Sequence, residues 1–171
     1  NDGLWRSIDY GTTWKKVESF PAGRQTDSIG ICFVIFGRSG TPHRPTPTIY
    51  VGVDREGINL YRSTDAGATW QPVAGQPKGM LPHHGVLAAD GVLYLTYSNA
   101  SGPNGITSGA VWKLDTKTGK WQDITPLAPT SKDQFGYAGL AIDASNPRIV
   151  MASTIDRWAR GDDIFHTTDG G

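Results

Sequence analysis

The stretch Ser63-Thr64-Asp65-Ala66-Gly67-Ala68-Thr69-Trp70 decides how the rest of the chain is read. It returns as Ser7-Ile8-Asp9-Tyr10-Gly11-Thr12-Thr13-Trp14 and starts a third time at Thr167-Thr168-Asp169-Gly170-Gly171. Each copy follows a short run holding an aromatic: Leu4-Trp5-Arg6, Leu60-Tyr61-Arg62 and Ile164-Phe165-His166. Such a run alternates as a strand does. The Asp then suits a turn, because its carboxylate accepts bonds from nearby backbone N–H groups, and the Gly two residues on takes φ > 0. The Trp opens the return strand with a large apolar face to bury. Asp9 and Asp65 stand 56 residues apart, and Trp14, Trp70 and Trp121 keep the period at 56 and 51. A repeat of that length points to a propeller or an array. We read Asp9, Asp65 and Asp169 as holding their own turns, not as catalytic groups or metal ligands. Identical repeated turns are scaffold, whereas an active site is normally single.

The repeated pattern resembles the Asp-box of BNR-type β-propellers, carried here by Asp9, Gly11, Trp14, Asp65, Gly67, Trp70 and Asp169. That resemblance marks an architecture and leaves function open. Composition agrees with it. The 171 residues include 22 Gly, 11 Pro, six Trp and six Tyr, a mixture rich in turns and strand formers. Lys plus Arg equals Asp plus Glu at 16 each, so no nucleic-acid or anionic-membrane partner is indicated. Cys32 is the single cysteine, which excludes an internal disulfide and a thiolate metal cluster. No run is apolar and long enough for a membrane-crossing helix.

In order, residues 1–20 read as the end of one blade, 21–74 and 75–126 as full blades, and 127–171 as an incomplete one. The expected fold is therefore an all-β propeller arc of about three four-stranded antiparallel blades. The run from Ile29 to Phe36 is continuously apolar and is expected to be an innermost strand buried on both faces. Pro72 places the strand after Trp70 at a sheet edge. Trp5, Trp14, Trp70, Trp112 and Trp121 fall at regular strand positions and are expected in the core. Because an arc of this kind does not close, the chain is expected to be part of a longer protein, with the rest of its own propeller as a partner.

The residues of functional interest lie in loops at strand ends. Leu81-Pro82-His83-His84-Gly85 is expected to precede an inner strand, with His83 and His84 set to hydrogen-bond a ligand or backbone. Neighbours in an extended chain point to opposite sides, and no Asp, Glu or His partner stands at ligand spacing, so no metal is assigned. Tyr137 occupies the equivalent point one blade later. Trp158 lies in the polar loop Asp156-Arg157-Trp158-Ala159-Arg160, where an indole face can stack on the C–H face of a sugar ring. Asp156, Asp162 and Asp163 form a possible carboxylate pair for glycoside chemistry, weighed against a solvated turn beside Arg157 and Arg160. Asn99-Ala100-Ser101 is a formal glycosylation sequon.

The segment from Leu60 to Pro126 carries a more specific resemblance. Its "LPHHGVL", "LYLTYSN" and "SGAVWK" are similar to the xyloglucanases of glycoside hydrolase family 74. The likeness runs from "GLWRSIDYGTTWKKV" to "IFHTTDGG" and is poorest over Arg24 to Pro47. It implies a secreted parent of two seven-bladed propellers that cleaves the β-1,4-glucan backbone of xyloglucan with inversion, without a cofactor. It also implies two catalytic Asp residues, in motifs like Arg-Thr-Asp-x-Gly-Gly and Gly-Asp-x-Gly-Gly-Phe. Neither motif occurs in this sequence, so no catalytic residue is assigned. The chain is expected to be middle blades of the N-terminal propeller, to be inactive alone, and to supply scaffold and cleft wall. The competing reading is a non-catalytic Asp-box propeller that binds a protein or glycan, as sortilin-like receptors do. A sialidase needs an arginine cluster and a Tyr nucleophile, and no such set assembles here.

Overall fold

The computed structural model describes residues 3–22, 30–38, 41, 44–158 and 160–171. The expected strand start at Ile29 and most of the loop after Phe20 lie outside the described residues. Among those described there is no helix, and every strand pairs antiparallel within one of four sheets. Strands β1 (Trp5–Arg6) and β2 (Lys15–Lys16) form a ribbon. The second sheet runs β3 (Ile31–Phe36), β4 (Ile49–Val53), β5 (Leu60–Ser63), β6 (Gln71–Pro72). The third runs β7 (Leu81–Leu87), β8 (Val92–Ser98), β9 (Gly109–Asp115), β10 (Trp121–Asp123). The fourth has β11 (Gly136–Ile142), β12 (Val150–Ile155) and β13 (Ile164–Thr167). β3 packs on β7, and β11 packs on β7 and β8, so successive sheets meet face to face. The result is a partial β-propeller.

The Asp-box hairpins set the connections along one edge of the sheets. In the copy at Asp65, Oδ1 accepts from the Thr69 N–H at 2.8 Å and the Ser63 hydroxyl at 2.8 Å, while Oδ2 accepts from the Thr69 hydroxyl at 2.6 Å. Asp9 makes the same three bonds to Thr13 and Ser7 at 2.9, 2.6 and 2.8 Å. These bonds favour the charged form and hold both carboxyls at about 2, against an ordinary 3.8. The residue between Asp and Gly is left-handed in both copies, Tyr10 at φ 56° and Ala66 at φ 58°. Trp70 then folds back over Gly67 and is buried edge-on against Phe20, with ring centroids 5.0 Å apart.

Two expectations about burial are corrected. The strand covered on both faces is β4, every residue of which is buried, whereas β3 leaves Val34 41 % and Phe36 62 % exposed. The faces of β3 differ: Phe33 and Ile35 pack against the third sheet, whereas Val34 and Phe36 point to the side where only the two-stranded ribbon stands. Trp5 and Trp14 are 44 % and 58 % exposed, not core. They sit on the two-stranded ribbon and line an open apolar groove of about 380 Å³ with Val34, Phe36 and Trp70.

The seams between sheets are built on glycine. A Cβ on Gly85 would lie 2.8 Å from Ile35 Cδ1, so β7 seats against β3 only without a side chain there. At the next seam a Cβ on Gly136 would meet Ser98 Cβ at 2.5 Å, and Thr96 donates its hydroxyl across it to the Ala138 carbonyl at 2.8 Å.

Candidate functional site

The Asp-box turns and the short turns at 88–91 and 143–149 lie at one edge of the sheets. The connections at 54–59, 99–108 and 156–163 lie at the other, where the inner strands β3, β7 and β11 begin and their partners end. The polar and aromatic residues singled out in the sequence fall on this second edge.

His83 and His84 are inside β7 and not in a loop before it, which corrects the expected boundary. The strand begins at Leu81 because Leu81 and Pro82 already pair with Ser98 and Tyr97, and a bulge between Pro82 and His84 re-aims the two rings. His83 is half-buried, its Nε2 2.5 Å from the Ser98 hydroxyl and 3.3 Å from the Ala100 carbonyl. His84 is exposed, and among the described residues its hydrogen bonds to Thr96 Oγ1 are made by its backbone.

The connection after Ser98 is a closed, internally bonded loop. Asn99 Oδ1 accepts from the Thr107 and Ser108 N–H groups at 2.8 and 2.9 Å, and its amide donates to the Thr107 hydroxyl at 2.9 Å. The sequon nitrogen is therefore engaged in the fold. Ser101 donates to Asp54 Oδ2 at 2.8 Å, which ties this loop to the preceding sheet. Ile106 is buried against Gly136 at the start of β11, and its N–H donates to Asp156 Oδ2 at 2.8 Å, which ties it to the following one.

Asp156, Arg157 and Trp158 then point in three different ways. Asp156 is buried and its Oδ1 accepts from the Trp158 indole N–H. Arg157 turns inward and is 4 % exposed, its guanidinium 4.7 Å from the Phe135 ring centroid. It donates to Asp133 Oδ1 at 3.0 Å and Oδ2 at 2.6 Å, and to Asp163 Oδ2. The Arg157 bonds hold the Asp133 carboxyl below the usual carboxylate range, and the same bonds raise the guanidinium. Trp158 turns outward and is 79 % exposed.

The possible carboxylate pair is not assembled as a catalytic pair. Asp163 is ion-paired to Arg157, Asp162 Oδ1 accepts from the Thr154 hydroxyl at 2.9 Å and the Arg157 N–H at 3.3 Å, and Asp156 is spent on Ile106 and Trp158. Tyr137 is corrected as a ligand contact. It is fully buried beside Phe135, its hydroxyl donating to the Leu127 carbonyl at 2.7 Å and accepting from the Leu127 N–H at 3.2 Å. Burial raises its phenol to about 12. No face of that ring is free for a sugar. No cluster of three or more His, Cys, Asp or Glu suited to a metal occurs among the described residues.

Sequence reading missed Asp156, Ile106 and Asn99 as the residues that knit this edge together. Asn99 was readable only as a sequon. Ile106, an isolated apolar residue in a Gly-Ser-Asn loop, was the one signal that the loop folds back onto the protein.

Comparison with known proteins places this geometry. No family model matches. The chain is 51 % identical over 99 % of its length to "Xyloglucanase Xgh74A" of Acetivibrio thermocellus, of which it covers 22 %. It is 49 % identical, again over 99 %, to a xyloglucanase of a Paenibacillus species, of which it covers 18 %. Among solved structures, the GH74 xyloglucanase of Xanthomonas campestris superposes with a TM-score of 0.90 at 42 % identity, over 99 % of this chain and 26 % of that one. The chain thus spans about a fifth of the length of the curated relatives it matches. By sequence and by fold over its whole length, this chain belongs to glycoside hydrolase family 74, as a stretch matching one segment of a xyloglucanase.

Proposed function

We propose that this segment forms part of the substrate-cleft wall of a xyloglucan-cleaving hydrolase and that Trp158 is its main sugar contact. The observation that carries the reading is an indole left 79 % exposed at an edge where the neighbouring polar side chains are already bonded to one another. Its flat face matches the axial C–H groups of a β-glucosyl ring. His83 and the exposed His84 lie along the same edge and supply hydrogen bonds to hydroxyl groups. Hydrolysis itself belongs to other parts of the full-length enzyme, by inversion between two carboxyl groups set across the scissile bond with water between them. The Asp-box carboxylates of Asp9 and Asp65 take no part in it, since both oxygens of each are bonded within its own turn. A polysaccharide substrate cannot enter a cell intact, so the full-length enzyme works outside it.

The test is a calorimetric titration of a xyloglucan oligosaccharide into the chain and into Trp158→Ala. Loss of one stacked ring, about 1–2 kcal/mol, lowers affinity by about five- to thirtyfold. Equal affinities would remove Trp158 from the site.

A further inference from the structure

The geometry assigns to Asp156 the role of positioning residue for the Trp158 platform, and with it a preference for sugar rings that offer an apolar C–H face. The inference rests on the reading of Trp158 given above. Three backbone positions outside glycine are left-handed among the described residues, and two of them, Tyr10 and Ala66, belong to Asp-box turns. Asp156, at φ 64°, is the third and belongs to no box. Strain of this kind persists only where surrounding contacts fix it. Here the contacts are two. Asp156 Oδ2 takes the buried Ile106 N–H of the neighbouring sheet's loop, and Oδ1 takes the Trp158 indole N–H. The left-handed turn is what lets one buried carboxylate face a loop on one side and an exposed indole two residues on.

Two consequences follow. The ring has its edge tied down and its face free, so it is oriented before a ligand arrives. Its one hydrogen-bond donor is also consumed, so it recognises a sugar by stacking alone. That favours rings presenting a face lined only by axial C–H groups, such as β-glucosyl units. An axial hydroxyl on the stacked face would meet a surface with nothing to bond it.

Asp156→Asn is the discriminating change. Asn has the same shape and tolerates φ > 0, but it has one acceptor oxygen where Asp has two. Both of its partners are donors, so only one can be kept. The Ile106 N–H is buried and expensive to orphan, so the exposed indole is released. In ¹H–¹⁵N spectra of the whole chain, the Trp158 indole N–H is identified by its loss in Trp158→Phe. In the wild type it should exchange slowly with solvent despite the exposure of the ring, and fast exchange there overturns the assignment without any variant at Asp156. In Asp156→Asn the indole signal should move to the position of a free indole while the Ile106 amide stays protected, and oligosaccharide affinity should fall about three- to tenfold. An unmoved indole signal refutes the tether. A released indole with wild-type affinity, while Trp158→Ala still binds weakly, refutes positioning. If Trp158→Ala also binds as wild type, the platform reading itself has failed, and the indole signal keeps that outcome distinct from loss of the tether.

Discussion

Gly109→Ala tests the packing that brings the candidate site together. Gly109 opens β9 at the seam between the third and fourth sheets, directly beneath the loop that Asp156 anchors. A Cβ placed there would stand 2.5 Å from Gly136 Cα, 2.5 Å from the Tyr97 carbonyl oxygen and 2.9 Å from the Tyr137 nitrogen. Ordinary carbon contacts lie at about 3.5–4.0 Å, so each is short by roughly 1 Å. All three atoms are backbone in paired strands, and no side chain can swing aside. Overpacking of this kind costs about 3 kcal/mol, the upper end of its usual range. For a chain of this length that lowers the melting temperature by about 6–12 °C. Gly57→Ala is the control, since nothing lies within 4 Å of its Cβ and its φ is not left-handed. It should be neutral or raise stability by up to about 1 kcal/mol through the unfolded chain. Thermal melts of the two variants by far-UV circular dichroism decide the matter. If they melt within about 1 °C of each other, the seam is looser than described and the reasoning fails.

Two further outcomes follow from the same structure. Tyr137→Phe removes a hydroxyl bonded to both peptide groups of Leu127 and should cost about 1–3 kcal/mol, with oligosaccharide affinity unchanged; a loss of affinity at unchanged stability would restore Tyr137 as a ligand contact. The lowered carboxyls of Asp9 and Asp65 contribute stability that is fully present above their ordinary pKa of 3.8 and is lost as pH falls toward about 2. The melting temperature should therefore drop across that acid window, less steeply in Asp65→Asn. An identical pH profile in that variant would show that the Asp65 hydrogen bonds do not stabilise the fold.

The all-β architecture was legible because Asp-box chemistry is local. Ser63, Asp65, Gly67 and Trp70 lie within eight residues, and each bond in that turn closes over a short span. The edge position of β6 was equally local, written in Pro72. What could not be read was which face of a strand a neighbouring sheet would cover. Tyr137 sits between glycine and alanine, a composition that suits an open loop mouth as well as a tight seam. Only the approach of β11 to β8, across Gly109 and Gly136, shows that it is buried. The exposure of Phe36 and Trp14 has the same origin, since it depends on what lies beside an edge strand and a two-stranded ribbon. The exposed position of Trp158 was legible from its polar neighbours. The tether that orients it was not, because Ile106 and Asp156 are 50 residues apart and meet only when two sheets dock.

The same separation explains how scaffold and candidate site divide the molecule. One edge carries turns whose carboxylates are closed on themselves and set the repeat. The other carries loops whose bonds cross from sheet to sheet: Ser101 to Asp54, Ile106 to Asp156. Substitutions at the first edge should act on stability, and those at the second on binding.

Mapping the contact surface of a xyloglucan oligosaccharide on the ¹⁵N-labelled chain tests that division most directly. The account predicts saturable amide shifts at residues 81–84, 98–108 and 155–163, with the Asp-box turn at 63–70 and the turn at 115–119 unmoved. Shifts centred on those turns, or none that saturate, would contradict it.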